Sequence, residues 1–251
     1  MRRIRLIVAY DGTNYCGWQV QANGPTVQAR LQKAIEDLIG EKTNVTGASR
    51  TDSGVHALGQ VVVFDTTKNI PDWKFAQAIN QRLPEDIAVR SSVEVPADFH
   101  PRYTHVKKTY EYRILNCRTR LPQERLYSHF VPAKLDIEAM REAGALFVGE
   151  HDFRSFASIK TTVDSTVRTI YSLELRREQG DILILRVTGN GFLYNMVRIL
   201  AGTLIKVGLG QKSIEEVREA LEHPQAKAAG PTAPAKGLTL VSIEYPDEPG
   251  D

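Results

Sequence analysis

Gly47-Ala48-Ser49-Arg50-Thr51-Asp52-Ser53-Gly54-Val55-His56-Ala57 sets one carboxylate between an arginine and a glycine where two apolar stretches meet. If residues 49–52 are extended, side chains alternate faces, so Arg50 and Asp52 point the same way. The guanidinium then orients the carboxylate and keeps it ionised, ready to attack a sugar carbon or to stabilise one that is losing its base. Gly54 lets the chain turn with no side chain in the way. Asp52 is the candidate nucleophile. The plainer alternative makes Asp52 a turn residue with Arg50 as its surface partner, since Thr-Asp-Ser-Gly is ordinary turn chemistry.

Working outward, residues 60–65 are strongly β-prone and a short strand is expected near residues 43–46. Val27, Leu31, Ile35 and Leu38 recur at helical spacing after Pro25-Thr26, which predicts an amphipathic helix over 26–39 with Gly40 as its stop. A strand over residues 4–9, a helix near 72–82 and a strand near 87–95 complete an α+β half. The second half repeats the theme: a strand over 108–115, a helix over 137–147, and strands over 167–176 and 182–187 around Gln179-Gly180-Asp181. An apolar helix over 192–207, a helix over 214–222 and a last strand over 238–245 follow. The order predicts two similar ferredoxin- or RRM-like α+β halves, residues 1–102 and 103–251. Side by side they would form one extended, mostly antiparallel sheet flanked by helices, with a central cleft. Residues 224–237, Pro-Gln-Ala-Lys-Ala-Ala-Gly-Pro-Thr-Ala-Pro-Ala-Lys-Gly, have the composition of a flexible linker.

Composition narrows the function. A chain of 251 residues with 42% hydrophobic and 25% charged residues buries a sizeable core and is not a disordered sequence. No apolar run is long enough to span a membrane, and the start lacks a signal-peptide cleavage pattern, so no membrane partner is expected. Cys16 and Cys117 have no CxxC or metal-like neighbours, which points to a reducing, cytoplasmic setting and no metal. The His-x-Glu with Pro-Cys-x-x-Cys signature of zinc deaminases is absent. Asp52-Ser53-Gly54 is also the aspartic-protease triplet, but those enzymes need two such aspartates and the triplet occurs once. A dimeric protease survives the counting, yet it leaves the basic segment unexplained.

That segment is residues 100–126. Net charge is only +2, but this stretch carries Arg102, Lys107, Lys108, Arg113, Arg118, Arg120 and Arg125 against Glu111 and Glu124. Tyr103, Tyr110 and Tyr112 are interleaved. Cations attract phosphates and tyrosine faces stack on unpaired bases; a solvated strand with lysines guarding an edge is the structural alternative.

The longer motif decides between these readings. It resembles the signature of the tRNA pseudouridine synthase A family (TruA), Gly-Ala-Gly-Arg-Thr-Asp-x-Gly-Val-His-Ala, departing from it at Ser49, where glycine is usual. Four further segments are similar to that family in the same order: Tyr10-Asp11-Gly12-Thr13-x-Tyr15-x-Gly17-Trp18-Gln19, Phe99-His100-Pro101-Arg102-Tyr103 with Lys108-Thr109-Tyr110-x-Tyr112, Gly191-Phe192-Leu193-Tyr194-Asn195-Met196-Val197-Arg198, and Thr232-Ala233-Pro234-Ala235-x-Gly237-Leu238. The last turns the apparent linker into an expected ordered loop near the active cleft.

The resemblance implies the pseudouridine synthase fold and isomerisation of uridine in tRNA, with no cofactor. Asp52 acts first, as nucleophile at the sugar or as the base that opens a glycal route, and Arg50 orients it. Tyr110 stacks on the target uracil and removes the C5 proton, and Arg198 approaches the aspartate. Phe99, His100, Pro101, Arg102 and Tyr103, and more weakly Lys160, Thr161, Thr162, Val163 and Asp164, align with RNA-contacting segments. The implied substrate is the tRNA anticodon stem-loop, uridines 38, 39 and 40, acted on by a homodimer. The alternatives are a synthase for another uridine site and a non-catalytic RNA-binding protein built of two RRM-like halves. The latter predicts an aromatic RNP1 run that the sequence lacks.

Overall fold

The computed structural model describes residues 1–102, 106–158, 164–178, 180–225 and 229–246. The chain forms two compact units, Met1–Val106 with Thr239–Asp251, and Lys107–Leu238. Both are mixtures of helices and mostly antiparallel strands, the α+β class expected.

In chain order the elements are β1 (Arg2–Tyr10), α1 (Val27–Ile39), β2 (Thr46–Gly47), β3 (His56–Thr66), α2 (Lys74–Asn80), β4 (Ile87–Val95), β5 (Lys107–Leu115), β6 (His129–Phe130), α3 (Ile137–Ala145), β7 (Gly149–Asp152), β8 (Val167–Arg177), β9 (Ile182–Gly189), α4 (Met196–Gly208), α5 (Ile214–Glu222) and β10 (Leu238–Glu244). Short 3-10 turns join some of them. Among the described residues no helix is long and apolar enough to cross a membrane.

The first unit is ordered β4-β1-β3-β10, with β2 beside β3. β1 is antiparallel to both neighbours, whereas β10 runs parallel to β3, with Thr239 opposite His56 and Leu240 opposite Ala57. Alternating burial along β1 sends Ile4, Leu6 and Val8 inward. α1 closes that core with Val27, Leu31 and Ile35. It starts where Thr26 caps the Ala29 N–H and stops at Gly40, whose φ of 69° is the left-handed cap that glycine adopts freely. The sequence assignment of residues 103–251 to one half is corrected here, because the ladder with β3 carries β10 back to the first unit.

The second unit is ordered β5-β9-β8-β7, with β6 alongside β5. Its core gathers Tyr112, Ile114, Leu183, Leu185 and Val187 from the strands with Leu200 and Leu204 from α4. α5 begins with a capping box in which Ser213 and Glu216 satisfy each other's backbone N–H groups. The apolar helix starts at Met196 rather than residue 192. Asn195 is the cause: its φ of 61° is incompatible with a right-handed helical turn.

Candidate functional site

In the first unit the Asp52 loop links β2 to β3 and alternates as predicted. Ser49 and Thr51 are buried, Arg50 is exposed and Asp52 is half-buried, so arginine and aspartate share the outer face. The inner face is locked by hydrogen bonds. Gln60, wholly buried on β3, accepts from the Ser49 N–H at 3.0 Å and donates to the Ser49 carbonyl at 2.7 Å. Thr51 Oγ1 lies 2.6 Å from the Tyr10 hydroxyl, and the Trp18 N–H donates to the Thr51 carbonyl at 3.1 Å.

Past Asp52 the chain reverses. The Val55 N–H donates to the Asp52 carbonyl at 3.1 Å, and Gly54 turns with φ of 76°. The Tyr15 carbonyl accepts from the Gly54 N–H at 3.3 Å and the Ser53 hydroxyl at 3.2 Å. Tyr15 is fixed in turn by its hydroxyl, which donates to Asp86 at 2.6 Å. Gly17 combines a φ of 90° with a backbone so close that a β-carbon would lie 2.6 Å from the Thr51 carbonyl oxygen. Gly12 donates to His56 Nδ1 at 3.1 Å, beside Asp11 Oδ1 at the same distance. The tyrosine-rich motif at residues 10–19 is therefore the cradle of the Asp52 motif, a relation that spacing along the chain does not reveal.

Of the predicted RNA-contacting stretch, residues 99–102 are described and Tyr103 lies outside the described residues. Phe99 packs its ring on Tyr245 at 5.0 Å, and its carbonyl accepts from Arg3. The Pro101 carbonyl accepts from the Tyr245 hydroxyl at 3.0 Å. His100 Nδ1 accepts the Arg102 N–H at 3.1 Å. Arg102 Nε reaches the Gly47 carbonyl at 2.8 Å, bracing the strand that leads into the Asp52 loop. Arg3 also grips Asp65 with two bonds of 2.8 Å, and that contact holds the Asp65 carboxyl below its ordinary range.

The second unit carries Tyr110, Arg198 and Asp164. Tyr110 sits on β5 opposite Val187, almost buried, with its ring edge-on to Phe192 at 5.3 Å. Arg198 emerges from the first turn of α4 between buried Val197 and Ile199. Its Nε donates to the Ala233 carbonyl at 2.7 Å and Nη1 to Asn195 Oδ1 at 2.9 Å, while the Ala233 N–H returns a bond of 3.1 Å to the Arg198 carbonyl. The Tyr112 hydroxyl donates to the Pro234 carbonyl at 2.9 Å. Burial pushes the Tyr112 phenol well up, and the Arg198 charge opposes that rise. Asp164 is exposed. Lys160, Thr161, Thr162 and Val163 lie outside the described residues.

These bonds order the Thr-Ala-Pro-Ala-x-Gly-Leu segment. Gly202 on α4 admits it: a β-carbon there would lie 1.9 Å from the Pro231 carbonyl oxygen. Sequence reasoning missed the supports Tyr10, Tyr15, Gly17, Trp18 and Gln60 in the first unit and Tyr112 as an anchor in the second. Gln60 left one signal, a polar residue heading the apolar run Val61-Val62-Val63-Phe64.

A family model described as tRNA pseudouridine synthase matches residues 6–104 and 143–246, which include Asp52, Arg50 and Arg198. The chain belongs to the tRNA pseudouridine synthase family. Membership makes it an isomerase of tRNA uridine. The chain is 49% identical to the tRNA pseudouridine synthase A of Geobacter sp. strain M21 over 98% of its own length and 100% of the relative's. It is 50% identical to that of Citrifermentans bemidjiense over 99% of each chain. With that of Acetivibrio thermocellus it shares 47% identity over 98% of this chain and all of the relative.

Proposed function

We propose that this pseudouridine synthase acts on the anticodon arm of tRNA, at uridines 38, 39 and 40, with Asp52 as the group that starts the reaction. The N1–C1′ glycosidic bond of uridine breaks, the uracil rotates, C5 bonds to C1′, the C5 proton leaves and N1 takes one up. Atoms balance without an external group. Asp52 either attacks C1′ or removes the C2′ proton on a glycal route. Arg50, on the same face of the loop, aims the carboxylate. Tyr110 presents a largely buried ring for the base and receives the C5 proton, and Arg198 contributes positive charge to the reaction.

The target base has to leave its stack at a cost of about a few kcal/mol, which stacking and phosphate contacts offset. Residues 99–103 and 160–164 supply those contacts. The enzyme works as a homodimer. The observation that carries the reading is the Asp52 loop itself: it lies within the span matched by the tRNA pseudouridine synthase family model, its inner face is hydrogen-bonded through Ser49 and Thr51, and Arg50 and Asp52 lie on its outer face.

The test uses an unmodified anticodon-arm transcript with uridines at 38, 39 and 40, without added metal or nucleotide, and maps pseudouridine at base resolution. Wild type is expected to convert those sites and Asp52→Ala none. Salt-dependent binding by both proteins with no conversion by either would replace the synthase by an RNA-binding module.

A further inference from the structure

We propose that Arg168 holds a phosphodiester of the substrate RNA, an anion site at the turn that carries Phe192, the ring packed edge-on to Tyr110; the RNA as ligand rests on the synthase reading. Arg168 is the second residue of β8, half-buried and opposite His151 of β7. Its Nη1 donates to the carbonyls of Ser165 at 3.0 Å and Val167 at 2.6 Å. These bonds fix the guanidinium and leave the Nε and Nη2 donors uncommitted among the described residues.

What sets Arg168 apart is charge. On the same sheet Arg113 pairs with Glu178 at 3.0 Å, and Arg176 and Arg186 pair with Glu111 at 3.5 and 2.7 Å. Among the described residues Arg168 pairs with no carboxylate. Asp152, one register position away, is occupied by the Thr166 hydroxyl at 2.6 Å and the Arg154 N–H at 2.9 Å. Residues 159–163 carry Lys160 and no acid. Burial pulls the guanidinium below its ordinary value with no negative charge opposing the shift. A desolvated cation without a counter-ion is costly, and an anionic ligand removes the cost.

The surroundings indicate which anion. The turn after β9 is pinned to β8 by Asn190, whose N–H donates to the Thr169 carbonyl and whose Oδ1 accepts the Thr169 N–H, each at 3.0 Å. That turn brings Gly191 beside Arg168, and a β-carbon there would lie 3.8 Å from Nε. Next in sequence is Phe192, edge-on to Tyr110. A nucleotide seated on Tyr110 brings its phosphodiesters with it, and Nε with Nη2 forms the planar fork that matches two phosphate oxygens.

The experiment measures anticodon-arm binding and pseudouridine formation for wild type, R168Q and R168K, at several salt concentrations. It includes RNAs carrying one uncharged methylphosphonate at each linkage flanking the target uridine. R168Q is expected to raise Kd and KM about tenfold, to lower the salt slope by about one, and to move kcat much less. At one linkage the methylphosphonate should penalise wild type and not R168Q. R168K should keep the salt slope but bind less tightly, because a point charge lacks the fork.

An R168Q protein with the wild-type salt slope and wild-type penalties at every linkage overturns the proposal. A merely structural arginine would give that result together with a lower Tm. Should R168Q fail to fold, R168K decides: a Kd equal to that of wild type overturns the phosphate fork. If wild type binds without converting uridine, the synthase reading fails while the salt slopes still judge Arg168; if it neither binds nor converts, both fall.

Discussion

The Asp52 loop and the Thr-Ala-Pro-Ala loop are both irregular segments, yet they are held in opposite ways. Around Asp52 the inner face is buried and its polar groups are satisfied by side chains and backbone from β1, the 10–19 segment and β3. The later loop lies against regular elements that reach out to it, Arg198 and Gly202 from α4 and Tyr112 from β5. The Asp52 loop is built on satisfied buried polar groups, which resist displacement because breaking one leaves a desolvated donor or acceptor. The later loop is held by a few anchors.

Four substitutions test that contrast, in order of expected effect. Gly17→Ala pushes a methyl into the Thr51 carbonyl and strains a left-handed backbone. It should lower kcat by at least about 100-fold through displacement of Asp52, measured by single-turnover pseudouridine formation. Loss of less than tenfold would mean the cradle does not set the geometry. Gln60→Leu keeps the volume but strands the Ser49 N–H and carbonyl, so urea denaturation should show about 3 kcal/mol lost.

Gly202→Ala improves helix propensity but collides with the Pro231 carbonyl. Its expected cost is about 2 kcal/mol, with a smaller activity loss than Gly17→Ala. The reverse ranking in activity would break the comparison. The smallest effect concerns Asp65, which the Arg3 contact holds below its ordinary value of 3.8. A lowered carboxylate contributes stability above that value and loses it as pH falls through the folded-state value. Wild-type urea midpoints should therefore drop as pH is taken below about 4, and Asp65→Asn should show a flatter acid limb.

Much of this was legible before any coordinates. The 3.6-residue period of α1, its cap at Thr26 and its stop at Gly40 are local, and the helix over 26–39 appeared within one residue as Val27–Ile39. β4 and α5 appeared with the expected bounds for the same reason. The failures were tertiary. β2 shrank to Thr46–Gly47, since pairing with β3 and not β propensity decides its length. The start of α4 moved from residue 192 to Met196, because apolar composition does not report a left-handed Asn195. Residues 226–228 of the apparent linker lie outside the described residues, but Ala233 and Pro234 are anchored, by hydrogen bonds to side chains more than thirty positions away.

The chain's local chemistry by itself determined the α+β class, the placing of Arg50 and Asp52 on one face of their segment, and the motif order that marks the synthase family. Side-chain alternation, caps and turn glycines act over a few residues, so sequence carries them. Tertiary structure alone decided that the 10–19 motif cradles Asp52, that Gln60 is the clamp, that β10 returns to β3, and that Arg168 pairs with no carboxylate among the described residues. Each depends on which buried polar group meets which partner, and burial forces a pairing without naming it in the sequence.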